Sequence, residues 1–180
     1  MPVNLEIKAY LGNSKNALLR AGMLDARTEE VQHQKDTYFH IRAGRLKLRD
    51  MPGRYSELIY YNREESDDIR RTDYTVYKFP PEKNLGLILG QALGVITVVI
   101  KHWHLFVYRG ARIHIDDVEG FSWFIEFEVS LKSDRDRAEQ MVNRLFETFN
   151  VQKKDILRVS YMDLLLMKEG DGWRPPMTRN

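Results

Sequence analysis

"GRLKLRD", residues Gly44–Asp50, sets Arg45, Lys47 and Arg49 at alternate positions with Leu46 and Leu48 between them. Successive side chains of a β-strand point to opposite faces, so the leucines can enter a core while three like charges gather on the other side. Such a face is either washed by water or set against something polyanionic. The same period of two recurs along the chain. In "NLEIKAY" (4–10), Asn4, Glu6, Lys8 and Tyr10 share a face opposite Leu5, Ile7 and Ala9. Glu57 and Arg63 flank Ile59 and Tyr61, and Lys101 ends the apolar run 95–100. Arg112, His114 and Asp116 alternate with Ile113 and Ile115, and Glu126 and Glu128 alternate with Ile125, Phe127 and Val129.

The spacing predicts strands over 3–11, 45–50, 55–63, 97–108, 111–118 and 123–131. "RDMPGRY", "YRGAR" and "VEGFS" are tight turns around Gly53, Gly110 and Gly120. Links this short require antiparallel neighbours, because parallel pairs need long crossovers. Helical periodicity is expected over Ser14 to Gly22 and over Asn84 to Leu93. It is strongest in "SDRDRAEQMVNRLFETFN", where Ser133 can cap a stripe of Ala138, Met141, Val142, Leu145, Phe146 and Phe149. Asp155 to Met167 predicts a weaker helix or a pair of short turns. "RRTDY" (70–74) reads as an exposed loop. Residues 1–168 read as one domain and 169–180 as a flexible tail.

The chain has 180 residues, 43% hydrophobic and 30% charged, with 28 cations against 26 anions. A net charge of +2 gives no global field of the kind that marks a nucleic-acid binder. The absence of cysteine excludes disulfides, thiolate nucleophiles and cysteine zinc sites. No basic segment precedes an apolar one at the N-terminus, and "LGVITVVI" is too short to span a bilayer, so a cytoplasmic location is expected. No phosphate-binding glycine loop of the P-loop or dinucleotide kind occurs. His102 and His104 form an H-x-H pair, but sequence places no third nitrogen or sulfur ligand nearby. They read as surface or packing residues, and His33 and His40 as solvated ones.

The polar faces therefore hold Glu6, Glu57, Asp116, Glu126 and Glu128 beside Lys8, Arg45, Lys47, Arg49, Arg63, Lys101 and Arg112. One reading is an antiparallel sheet with a wet face and helices on the other side. The alternative is a sheet curled until its charged face lines a cavity. Cations cluster in 45–49 and carboxylates in 126–128, and this grouping by strand suits the cavity. Carboxylates bind Mg²⁺ or Mn²⁺, and Arg and Lys clamp phosphate oxygens, so metal and polyphosphate together would satisfy both sets.

"NLEIKAYL", "QKDTYFHIRAGRLKLRD", "SELIYYNRE", "IHIDDVEGFSWFIEFEVSL" and "VSYMDLLL", taken in that order, resemble a CYTH domain. This is the fold of class IV adenylyl cyclases and thiamine triphosphatases, the triphosphate tunnel metalloenzymes. The resemblance runs from about residue 3 to 166. It implies an α+β protein, with a closed antiparallel β-barrel of about eight strands forming a tunnel and helices packed outside. By the same resemblance, Glu6 and Lys8 match the second acid and the lysine of the E-x-E-x-K signature. Arg45, Lys47 and Arg49 match the cationic strand that grips the triphosphate, and Lys101 the lysine of a K-x-R strand. Asp116, Glu126 and Glu128 match the metal-binding acids.

The resemblance implies a Mg²⁺- or Mn²⁺-dependent hydrolase of inorganic, thiamine or nucleoside triphosphate. Glu6, Lys8 and Asp116 would be catalytic, and Glu6, Asp116, Glu126 and Glu128 would hold metal. Lys8, Arg45, Lys47, Arg49, Arg63, Lys101 and Arg112 would bind substrate. The alternatives are a class IV adenylyl cyclase and a non-catalytic polyphosphate- or nucleotide-binding module. The partner expected is a small triphosphate or nucleotide, with no nucleic acid or membrane, and a homodimer is left open. Three positions depart from the pattern. Asn4 stands for the first glutamate, Tyr61 for a lysine, and Trp103 for the tunnel arginine. Period two turns Trp103 to the same side as Lys101 and leaves His102 on the other.

Overall fold

A computed structural model describes residues 3–24, 26–63, 70–130 and 135–170. Among the described residues there are eight strands: β1 (Val3–Tyr10), β2 (Arg27–Phe39), β3 (Arg45–Met51), β4 (Tyr55–Arg63), β5 (Arg70–Phe79), β6 (Val95–Tyr108), β7 (Ala111–Val118) and β8 (Trp123–Ser130). Four helices accompany them: α1 (Ser14–Met23), α2 (Lys83–Leu93), α3 (Arg135–Thr148) and α4 (Tyr161–Glu169). The strands pair antiparallel in the order β1-β5-β4-β3-β2-β6-β7-β8, and β8 returns to β1 to close the barrel. The curled-sheet reading is the one the chain adopts.

Two strands lie where the sequence pattern predicts none. The "RRTDY" segment, read as a loop, opens β5 and supplies the closing pairs with β1, Val3 opposite Asp73 and Glu6 opposite Arg70. The "QKDTYF" segment ends β2, a 13-residue strand that pairs with both β3 and β6. Both were hidden because each carries polar residues on both faces, which erases the alternation of apolar and polar positions. Ser133, the expected cap of α3, and residues 171–180, most of the expected tail, lie outside the described residues. The weak helix of 155–167 divides into a 3₁₀ turn at Lys153–Asp155 and α4, which opens on a capping box of Ser160 and Asp163.

The barrel is apolar outside and charged inside. Leu5, Ile7 and Ala9 of β1, Ile113 and Ile115 of β7, and Ile125 and Phe127 of β8 point outward. They pack against Ala17 and Ala21 of α1 and Ala138, Val142 and Leu145 of α3. The β6–β7 link is the two-residue turn Arg109–Gly110, both at positive φ (49° and 85°), the conformation whose twist matches that of its flanking strands. The start of α4 reaches across one mouth of the barrel. Tyr161, Met162 and Leu164 pack there against the inward-facing Tyr38, Ile59, Tyr61, Val99 and Phe124. Among the described residues no helix is long and apolar enough to cross a membrane.

Leu145 is fully buried between α3 and the barrel wall, whereas Leu87 of α2 is 61% exposed. Leu145→Ala should cost about 2–5 kcal/mol and Leu87→Ala less than about 0.5 kcal/mol, measured by urea denaturation. Equal losses would place the folding core elsewhere.

Candidate functional site

The inward faces of the strands enclose a cavity of about 240 Å³. Glu6 and Lys8 enter it from β1, Lys47 and Arg49 from β3, Lys101 and Trp103 from β6, and Glu126 and Glu128 from β8. The inward register expected for β6 is the one adopted. Lys101 and Trp103 are buried, and His102 is exposed, its ring tilted against that of His33 with centroids 4.7 Å apart. Strand β2 adds Gln34, Asp36 and Tyr38 to the lining, β7 adds Arg112 and His114, and α4 adds Tyr161.

The cations are already paired. Asp36 accepts from Lys47 Nζ at 2.6 Å, from Arg49 Nε at 3.0 Å and Nη2 at 3.2 Å, and from the Gln34 amide at 2.9 Å. Burial alone would raise the Asp36 pKa, yet the Arg49 guanidinium and Lys47 ammonium hold it well below the usual carboxylate range. Arg49 Nη1 also lies 3.7 Å from Glu57. Lys8 Nζ meets Glu126 at 3.0 Å and sits 4.0 Å over the Tyr161 ring. Burial works against the Lys8 charge, but Glu126, Glu6 and Asp116 outweigh it and raise its pKa. Arg112 Nη1 lies 3.2 Å from Glu128, whose carboxyl is held well below its ordinary range by His114 and Arg112 in spite of burial.

Glu6, Glu126 and Glu128 each place an oxygen within 4.8 Å of the others'. Opposed oxygens on a Mg²⁺ ion lie about 4.2 Å apart, so a small side-chain rotation makes this trio a seat for such an ion. Three carboxylates this close repel, and a divalent cation neutralises them. The donor set therefore fits the metal.

Asp116 stands apart from that trio. It is fully buried, and its Oδ2 accepts from Lys101 Nζ at 2.9 Å and from the Tyr161 hydroxyl at 2.8 Å. Burial opposes its charge, and Lys101, His114 and Lys8 lower its pKa nonetheless. Burial with the Asp116 and Glu126 carboxylates pushes the Tyr161 phenol well above its ordinary range, so it remains a donor. Arg45 is engaged at the α4 end of the cavity, on Ser160 of its lining. Its guanidinium donates to Ser160 Oγ at 2.7 Å and to Asp163 at 3.1 and 3.3 Å, gripping the cap of α4. Arg63 ends β4, and its side chain lies outside the described residues.

Sequence reasoning assigned no site role to Gln34, Asp36, His114 or Tyr161. Period two within β7 could have flagged His114. For Tyr161 no local signal exists, since its partner Asp116 is 45 residues away.

The depressed Asp36 pKa carries a pH signature. The folded value lies below the unfolded one of about 3.9, so the stabilisation is complete above about pH 4 and drains away as pH falls further. Asp36→Asn should cost about 3–5 kcal/mol near neutral pH, because it strands the buried Lys47 and removes the nearer carboxylate of the half-buried Arg49. The gap from the parent protein should narrow below about pH 4. Urea titrations at both ends of that range decide it, and a gap independent of pH would mean that Asp36 is not the anchor of the pair.

The CYTH domain family matches residues 3–161. A Methanocaldococcus jannaschii protein provisionally named an adenylate cyclase is 24% identical over 173 residues, covering 90% of this chain and 98% of its own. Among solved structures, one from Pyrococcus horikoshii OT3 superposes with a TM-score of 0.77 at 18% identity, over 89% of this chain and 98% of its own. Another, from Vibrio parahaemolyticus and also provisionally named an adenylate cyclase, gives 0.74 at 18% identity over 91% and 97%. These structures share the fold, and the family match spans the strands that build the cavity; the chain belongs to the CYTH domain family.

Proposed function

We propose that the protein is a divalent-metal-dependent phosphohydrolase acting on inorganic triphosphate or an organic triphosphate inside the barrel. The observation that carries this reading is the facing of two sets across one cavity. The carboxylates of Glu6, Glu126 and Glu128 converge on one wall, and the cations Lys47, Arg49 and Lys101 stand on strands β3 and β6. Mg²⁺ or Mn²⁺ would be held by Glu6, Glu126 and Glu128, and when bound it supplies charge neutralisation and polarises phosphoryl oxygens.

The remaining chemistry belongs to the side chains. Phosphoryl transfer asks a protein mainly for position and for charge to oppose the charge of the transferring group. Lys8, kept protonated by its carboxylate neighbours, would meet the transferring phosphoryl from its position beside Glu126. Lys47 and Arg49 would exchange part of their grip on Asp36 for phosphate oxygens, with Arg112 at the outer wall. Asp116 acts through Lys101, holding the ammonium that faces the substrate. The Arg45 guanidinium serves the α4 cap, and through it the position of Tyr161. Water attack at the terminal phosphorus would give orthophosphate and the diphosphate product.

A second reading, class IV adenylyl cyclase, is favoured by the names of the Methanocaldococcus and Vibrio relatives. It would use the same clamp with the substrate's own 3′-hydroxyl as nucleophile. Product analysis separates the two: incubation with triphosphate and with ATP, each with Mg²⁺ or Mn²⁺, should release orthophosphate. Cyclic AMP and pyrophosphate would establish the cyclase instead. Glu126→Gln should lower turnover by at least about a hundredfold while the protein stays folded by far-ultraviolet circular dichroism, and it should lower the melting temperature, because Lys8 loses its paired carboxylate. Full activity in EDTA would overturn the metal assignment.

A further inference from the structure

We propose that His114 supplies a nitrogen ligand to the divalent ion at Glu6, Glu126 and Glu128, and that this biases the site toward Mn²⁺ over Mg²⁺. The inference rests on the metal reading above. Alternation along β7 turns His114 into the cavity, and the ring is 6% exposed. Register places it directly opposite Glu126 on β8, while its neighbour Arg112 stands opposite Glu128. Its Nε2 lies 3.5 Å from the Oε2 of Glu128, one of the three carboxylates.

Neither ring nitrogen has a hydrogen-bond partner among the described residues. A buried polar atom left unsatisfied is costly, and imidazole nitrogens are normally paired. The ring is nonetheless held firmly. Trp103 stacks on it from β6, with centroids 5.3 Å apart and planes 28° from parallel. A fixed, buried imidazole beside three carboxylates is a metal donor set of mixed character once the ring exchanges its charge interaction with Glu128 for the ion and presents a neutral nitrogen. Mg²⁺ prefers oxygen ligands and near-octahedral geometry, whereas imidazole suits first-row transition ions. The Trp103 indole provides the wall that aims His114.

The test uses the full chain stripped of metal and then loaded with Mn²⁺ alone. Pulsed electron paramagnetic resonance should show nitrogen modulation from a directly bound imidazole in the parent protein and in His104→Phe. The modulation should vanish in His114→Phe, which keeps a ring against Trp103. Mn²⁺ affinity of His114→Phe should fall on the order of tenfold, while Mg²⁺ affinity changes less than about twofold. Mn²⁺ binding that Glu126→Gln abolishes but that shows no nitrogen modulation would overturn the His114 ligand and leave the carboxylate site standing. Mn²⁺ binding indifferent to Glu126→Gln would overturn both. Should His114→Phe fail to fold, parent protein labelled with ¹⁵N-histidine decides the matter. The modulation must change with the isotope, and an unchanged spectrum sinks the proposal.

Discussion

The barrel can close only because the charges on its inner face neutralise one another. Eight antiparallel strands leave an interior just wide enough to be filled by side chains, and in this chain those side chains are largely ionic. An unpaired charge taken out of water costs several kcal/mol, so each inward cation needs an anion within reach. Asp36 answers Lys47 and Arg49, Asp116 answers Lys101, Glu126 answers Lys8, and Glu128 answers Arg112. The usual arrangement of a small protein is thereby inverted. The apolar faces of β1, β7 and β8 turn outward, and α1 and α3 are required to cover them.

Internal pairing also filters what can bind. Lys47 and Arg49 are held by three contacts to one carboxylate, and an incoming anion has to compete with Asp36 for them. A ligand with a single phosphate would trade one set of charge-assisted bonds for another of similar worth. A chain of phosphates reaches several cations at once, and each additional contact adds to the exchange without a further loss of translational freedom. Under the proposed function, preference for a polyphosphate thus follows from the paired state of the ligand-free cavity rather than from its net charge.

Much of this was legible in the sequence, and what was not failed for identifiable reasons. Strands β1, β3, β7 and β8 have one apolar and one polar face, β4 and β6 are legible from their β-branched and aromatic content, and period two gave the side taken by Lys101, Trp103 and His102. Strands β2 and β5 have no such contrast. Gln34 and Asp36 face the charged interior while Lys35 is exposed outside, and Thr75 and Tyr77 lie on an outer surface open to solvent. The site was legible where chemistry repeats at alternate positions, as in Glu126 and Glu128. It was not where a partner arrives from far along the chain. Arg45 has the same local pattern as Lys47 and Arg49, but Ser160, 115 residues away, captures it.

That capture gives the cavity a direction. The Ser160–Asp163 box caps α4, Arg45 clasps the box, and Tyr161 then projects inward to Asp116 and over Lys8. One mouth of the barrel is thereby closed by hydrogen bonds rather than by apolar packing alone. Burial falls away from it in steps. The Lys101–Asp116 side chains are 8% and 0% exposed, Lys8–Glu126 11% and 9%, and Glu128–Arg112 18% and 45%. A charge interaction strengthens as water is excluded, so the same ion pair counts for more at the α4 end than at the Arg112 end. Under the proposed function, an anion entering past Arg112 would meet the weakest pairs first and exchange them most easily. The firmest cations would be reserved for the part of the ligand that travels deepest.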